Sequence, residues 1–140
     1  MELRSISLTN IRPTLDNLKN SQDMTADEHF QNFTLRPILK FQNDLIISVF
    51  RNYIEKHKGA FYTLNLSRKL HYIEHAIQKD VKFRNSLKGI IIGHFTLEEY
   101  EKYTKNALAI NKRMMTMLIE RLKDQMQLLE NTIEAGLPIS

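Results

Sequence analysis

Glycine and proline together account for only seven of the 140 residues, far below the roughly 12% of average usage. A sandwich or barrel of short strands needs a turn every dozen residues, usually built on Gly, Pro or Asn-Gly. The shortage predicts helices instead. At roughly 100–200 residues per domain, the chain is long enough for one domain with a real core.

The apolar pattern and the capping residues divide the chain. Residues 1–24 alternate weakly and contain Pro13, which reads as an extended or partly ordered N-terminal arm, leaving 25–140 as a single helical domain. Thr25 followed by Glu28 fits a capping box and opens a short helix to about Phe33. Pro37 either kinks that helix or sits in the first turn of the next, with Thr34 as its cap. A wide apolar face then runs to Lys58 through Leu39, Ile46, Phe50 and Ile54, and Gly59 closes the helix in the left-handed manner. Residues 66–79 place Leu66, Leu70, Ile73 and Ile77 on one face, Asp80 caps a helix over 81–92, and Thr96 with Glu99 forms a second capping box. The fold expected is all-α: a bundle of four to five helices with a long C-terminal helix.

That last helix is expected to run unbroken from Thr96 to about Glu134. It would be on the order of 50 Å long, against roughly 37 Å for the diameter of a compact domain of this size. One end should overhang. Leu108, Asn111, Met115, Leu118, Leu122, Gln125 and Leu129 recur at alternating spacings of three and four, with Met114, Met117 and Met126 beside them. An overhanging apolar stripe needs cover, so Leu118, Leu122, Met126 and Leu129 are the expected homo-oligomer interface. Asn111 lies within the stripe, where an amide either sets register between helices or bonds a neighbour in the same chain.

Charge is concentrated in the middle. Residues 36–88 carry 11 basic and 4 acidic side chains, whereas both flanking thirds are slightly acidic. Arg68, Lys79, Lys82 and Arg84 are the candidate surface for an anionic partner, although no helix-turn-helix or RNA-binding signature accompanies them. The absence of Cys excludes disulfides, thiolate zinc sites and a cysteine nucleophile, and suits a reducing compartment. The opening residues lack a signal-peptide pattern, and the longest uncharged apolar-rich stretch, 89–97, is far short of the roughly 20 residues that span a bilayer. A cytoplasmic protein with no membrane segment is expected.

Two short motifs carry candidate chemistry. His71-Tyr72-Ile73-Glu74-His75 matches H-x-x-E-H, which on a helix sets two imidazoles on one face to share a metal while Glu74 activates water. A third acidic ligand from elsewhere would be required. Gly89-Ile90-Ile91-Ile92-Gly93 has small residues four apart but no GK[ST], so it reads as a close helix contact rather than a phosphate loop.

The string Thr34-Leu35-Arg36-Pro37-Ile38-Leu39-Lys40-Phe41-Gln42-Asn43-Asp44-Leu45, with Phe83-Arg84-Asn85-Ser86-Leu87-Lys88-Gly89 and Asn111-Lys112-Arg113-Met114-Met115, resembles a family of small, uncharacterised bacterial helical proteins. The likeness spans about residues 25–130 and implies a helical fold. Some of those proteins are labelled glyoxalase. That activity is not carried over, because glyoxalases hold their metal on strands of repeated βαβββ modules, which this pattern lacks.

The leading expectation is therefore a non-enzymatic helical interaction or scaffold protein, without cofactor, that self-associates and can meet a protein partner. A nucleic-acid-binding module on the central basic residues comes second. A small metal-dependent enzyme using His71, Glu74 and His75 comes third.

Overall fold

Short polar side chains start most of the helices. The structure, a computed structural model, describes residues 2–14 and 24–130, and among these every regular element is helical, with no strand. Glu2 caps α1 (Leu3–Ile11), accepting from the Ser5 amide at 3.2 Å. Thr25 caps α2 (Ala26–Phe30) through the Glu28 amide at 3.1 Å. Asn65 caps α5 (Leu66–Lys79) and Asp80 caps α6 (Val81–Ile92) in the same way. At α7 (Leu97–Lys105) the Thr96 hydroxyl and the Glu99 carboxylate accept from each other's backbone amides at 3.1 and 2.8 Å, a complete capping box. Each satisfies amides that the helix itself leaves unpaired.

Pro37 acts differently from a simple break. The chain runs from α2 through a π-helical turn (Gln31–Leu35) directly into α3 (Arg36–Phe41), with the Arg36 amide donating five residues back to Gln31. A proline inside an α-helix leaves a carbonyl unpaired and pushes its ring against the preceding turn. The wider π turn takes up that misfit, so Thr34 is not a cap and its hydroxyl is free for a long-range bond. Gln42 (φ −90°, ψ 5°) separates α3 from α4 (Asn43–Lys56). Gly59 then stops the chain at φ 67°, as the sequence predicts, but Lys58 shares that left-handed conformation at φ 64° without the glycine that usually marks it.

The core lies between α3, α4, α5, α6 and α8 (Ala107–Asp124). Helix α5 packs on α6 and α8, while α8 also meets α6, α7 and the π turn. Phe50, Phe61, Ile73, Ile77, Leu87, Ile91, Met114 and Leu118 are fully buried together. Edge-to-face contacts of Phe50 with Tyr72 and Phe83 fill the space between α4, α5 and α6.

Several expectations change. The N-terminal arm, expected to be extended or partly ordered, contains a helix, α1; residues 15–23 lie outside the described residues. The long C-terminal helix is broken at Asn106 (φ −146°, ψ 42°), whose side chain donates to Asp27 at 2.8 Å instead of continuing the helical ladder. Helix α8 stops before Gln125, a 3₁₀ turn (Met126–Leu129) follows, and Glu130 is extended. The expected continuation to Glu134 falls outside the described residues. At 18 residues α8 is about 27 Å long, short enough to lie within the domain.

Among the described residues, no part of α8 overhangs with an uncovered apolar stripe. Leu118, Leu122 and Leu129 are 0% exposed and Met126 8%, so the residues assigned to a self-interface lie inside the chain's own core. Met114 is buried there too, with Met115 and Met117 packed at its edge. Asn111 accepts from the Tyr103 hydroxyl at 2.7 Å, tying α8 to α7 within one chain. Gly89 makes no close helix contact either: a Cβ placed on it would meet nothing within 4 Å.

Candidate functional site

Among the described residues, the H-x-x-E-H string gains no third ligand for a metal. His71 and His75 lie on the exposed face of α5 with ring centroids 6.1 Å apart. Glu74 is turned to α8, where Lys123 donates to its carboxylate, and this bond holds the carboxyl below its ordinary range. Among the described residues, no group of three His, Cys, Asp or Glu side chains is placed to hold a metal ion. On the basic surface, Arg68, Lys79 and Lys82 are exposed, and Arg84 donates to the Gln78 carbonyl at 2.8 Å near the end of α5. That bond favours helix C-capping, since a guanidinium satisfies the negative end of the dipole.

A large concavity lies elsewhere on the molecule. A cleft of about 1140 Å³ opens between α1, α2 and α7, lined by apolar Ile6, Phe30, Phe33, Leu97 and Ile110. Its rim carries Glu2, Asp27 and Glu98 together with Lys102 and Lys105. Phe30 is anchored from beneath by an edge-to-face contact with Phe95, at 5.5 Å between centroids. Phe33 is part-exposed and stacks on His29 at 4.5 Å.

Glu99 ties the walls of this cleft together. Arg12, just past the end of α1, donates from Nη1 and Nη2 to its two carboxylate oxygens at 2.7 and 2.6 Å. Thr34 of the π turn donates at 2.8 Å, and the Thr96 amide at 2.8 Å. The Arg12 and Glu99 side chains are only 8% and 14% exposed. Burial pushes the carboxyl pKa up, but Arg12, the Thr96 amide and Thr34 together hold it below the ordinary glutamate range. A carboxylate so engaged is a poor general base, because a proton would have to displace its donors.

Arginines also fasten α1 to the turn between α6 and α7. Arg4 donates to the Phe95 and Gly93 carbonyls, both at 2.8 Å, and Arg12 Nη2 donates to the His94 carbonyl at 2.6 Å. All three carbonyls lie at or just past the C-terminus of α6, where positive charge is favoured. His94 itself is held below the ordinary histidine range by burial and by the charges of Arg12 and Arg4. It packs against Phe41 and does not line the cleft.

Local sequence marks Glu99 as a helix-cap residue and nothing more. Its partners Arg12 and Thr34 are 87 and 65 residues away along the chain, and neither lies in a periodic pattern. Comparison with protein families, curated proteins and solved structures finds no match to this chain. The functional reading rests on the site itself.

Proposed function

We propose that this protein is a non-enzymatic helical binding module that takes an amphipathic helix of a protein partner into the cleft between α1, α2 and α7. One observation carries the reading: a helix-walled cleft of about 1140 Å³ with apolar Ile6, Phe30, Phe33 and Ile110 inside and charges of both signs on its rim. Helix-in-groove recognition uses apolar anchors at helical spacing, with specificity from the charged edge. The carboxylate at the base is saturated by internal donors, which suits a rigid wall better than proton transfer. The expected protein partner is kept, and its proposed surface is the N-terminal cleft.

Selection from a displayed library of short helical peptides tests this. Enriched peptides should carry apolar residues at i, i+3 and i+4 and should lose at least about ten-fold in affinity on Phe33→Glu, the scale of a lost aromatic anchor. Phe33 is part-exposed, so the variant keeps its core. No enrichment, or equal binding to Phe33→Glu, would overturn the assignment.

A further inference from the structure

A second, smaller cavity of about 250 Å³ lies on a different part of the molecule, where α3 and the π turn face the C-terminal half of α8. Arg36 and Arg121 stand in its lining, over Leu39 and Met117, with Gln31 beside them. Both guanidiniums are aimed without being neutralised. The Arg36 Nε donates to Asn32 Oδ1 at 2.9 Å, and Arg121 Nη1 to Asn43 Oδ1 at 3.2 Å. Asn43 is itself locked by a reciprocal pair of amide bonds with Gln125, each 2.7 Å. Gln31 accepts from Arg113 at 2.6 Å.

Neutral amide oxygens orient the three arginines, and no carboxylate lies within ion-pair distance of any of them among the described residues. Each guanidinium has five N–H donors. Among the described residues, Arg36 uses only Nε and Arg121 only Nη1, so most of their donors have no protein acceptor. Half-burial and the neighbouring Arg36 charge both press against the charged form of Arg121, with Asp124 opposing them weakly. Two like charges held close in a pocket are relieved when an anion enters between them.

We infer that this cavity is a binding site for a single small oxyanion, a phosphate or carboxylate group, clamped by Arg36 and Arg121. Glu120 and Asp124 also line the cavity and are exposed, so the small volume admits only a compact anion that reaches the arginines directly. Those carboxylates repel an extended polyanion such as a nucleic-acid backbone, while a compact group reaches the arginines without passing along them. Leu39 and Met117 leave room for a short apolar body attached to the anionic group. The site is independent of the cleft and shares none of its lining residues.

Titration calorimetry with sodium phosphate, sodium acetate and sodium chloride at equal ionic strength tests the inference on the full chain. Phosphate, acetate or both should bind at one site beyond the chloride baseline, and the stronger ligand identifies the group recognised. Arg36→Gln and Arg121→Gln should each weaken that binding by at least about ten-fold, the scale of a lost charge-assisted bond, while Lys79→Gln on α5 leaves it unchanged. Arg36 is exposed, so Arg36→Gln carries the test even if Arg121→Gln fails to fold. No binding beyond chloride, or full binding retained in Arg36→Gln, would overturn the site.

Discussion

Helix α8 buries Ile110, Met114, Leu118, Ile119 and Leu122, whereas α1 buries no residue at all. The first is held by apolar contact on several sides. The second keeps Leu3, Ile6 and Ile11 part-exposed and hangs on Arg4, Arg12 and a Ser5 contact with the Leu97 amide. The two attachments respond to different agents. Apolar burial grows with area and is indifferent to moderate salt, while arginine bonds to carbonyls and a carboxylate depend on charge state and ionic strength. A wall fastened in the second way can be loosened without unfolding the core, and α1 is a wall of the proposed binding cleft.

The largest effect expected from breaking this contrast lies in α8. Leu118→Ala should cost about 3 kcal/mol or more in denaturant unfolding, because it empties a fully buried site that its neighbours cannot fill. A cost near zero would place Leu118 at a surface and restore the self-interface expected from sequence.

Glu99→Gln should cost less, about 2 kcal/mol at neutral pH, since Arg12 keeps its carbonyl partner but loses the opposite charge. Its pH signature separates it from a packing defect. The folded-state carboxyl lies below its unfolded range, so its contribution is full above that range and lost as pH falls through it toward the lowered value. Wild type should therefore lose stability faster than Glu99→Gln over the same acid window in parallel unfolding series. Identical slopes would remove the Glu99–Arg12 pair from the account.

The smallest effect has the opposite sign. Gly89→Ala should stabilise the protein by about 0.5–1 kcal/mol, because the helix gains propensity and the added methyl meets open space. Destabilisation in the melting temperature would instead mark a close helix contact there.

The same contrast separates what the sequence reveals from what it hides. Caps and apolar rhythm are local, so Thr25, Asp80, the Thr96–Glu99 box, the Gly59 stop and the all-helical class are legible in the residues alone. The break at Asn106 is not, because the apolar rhythm continues across it and the bond to Asp27 that redirects the side chain spans 79 residues. Without that break and the stop before Gln125 the last helix lengthens, and core residues turn into an expected interface. The cleft is less legible still. Arg12 and Thr34 are unremarkable in their local context, and only the tertiary fold brings them to Glu99. His71, Glu74 and His75 show the converse: a spacing that fits metal chemistry on paper, with the carboxylate turned away to Lys123.

Amide hydrogen exchange followed by mass spectrometry, on wild type and Arg12→Ala, tests the central contrast most directly. The amides of α1 should exchange well before those of α8, and Arg12→Ala should speed exchange in α1 while leaving α8 protected. Exchange of α1 and α8 at one common rate in wild type, unchanged in α1 by Arg12→Ala, would contradict it.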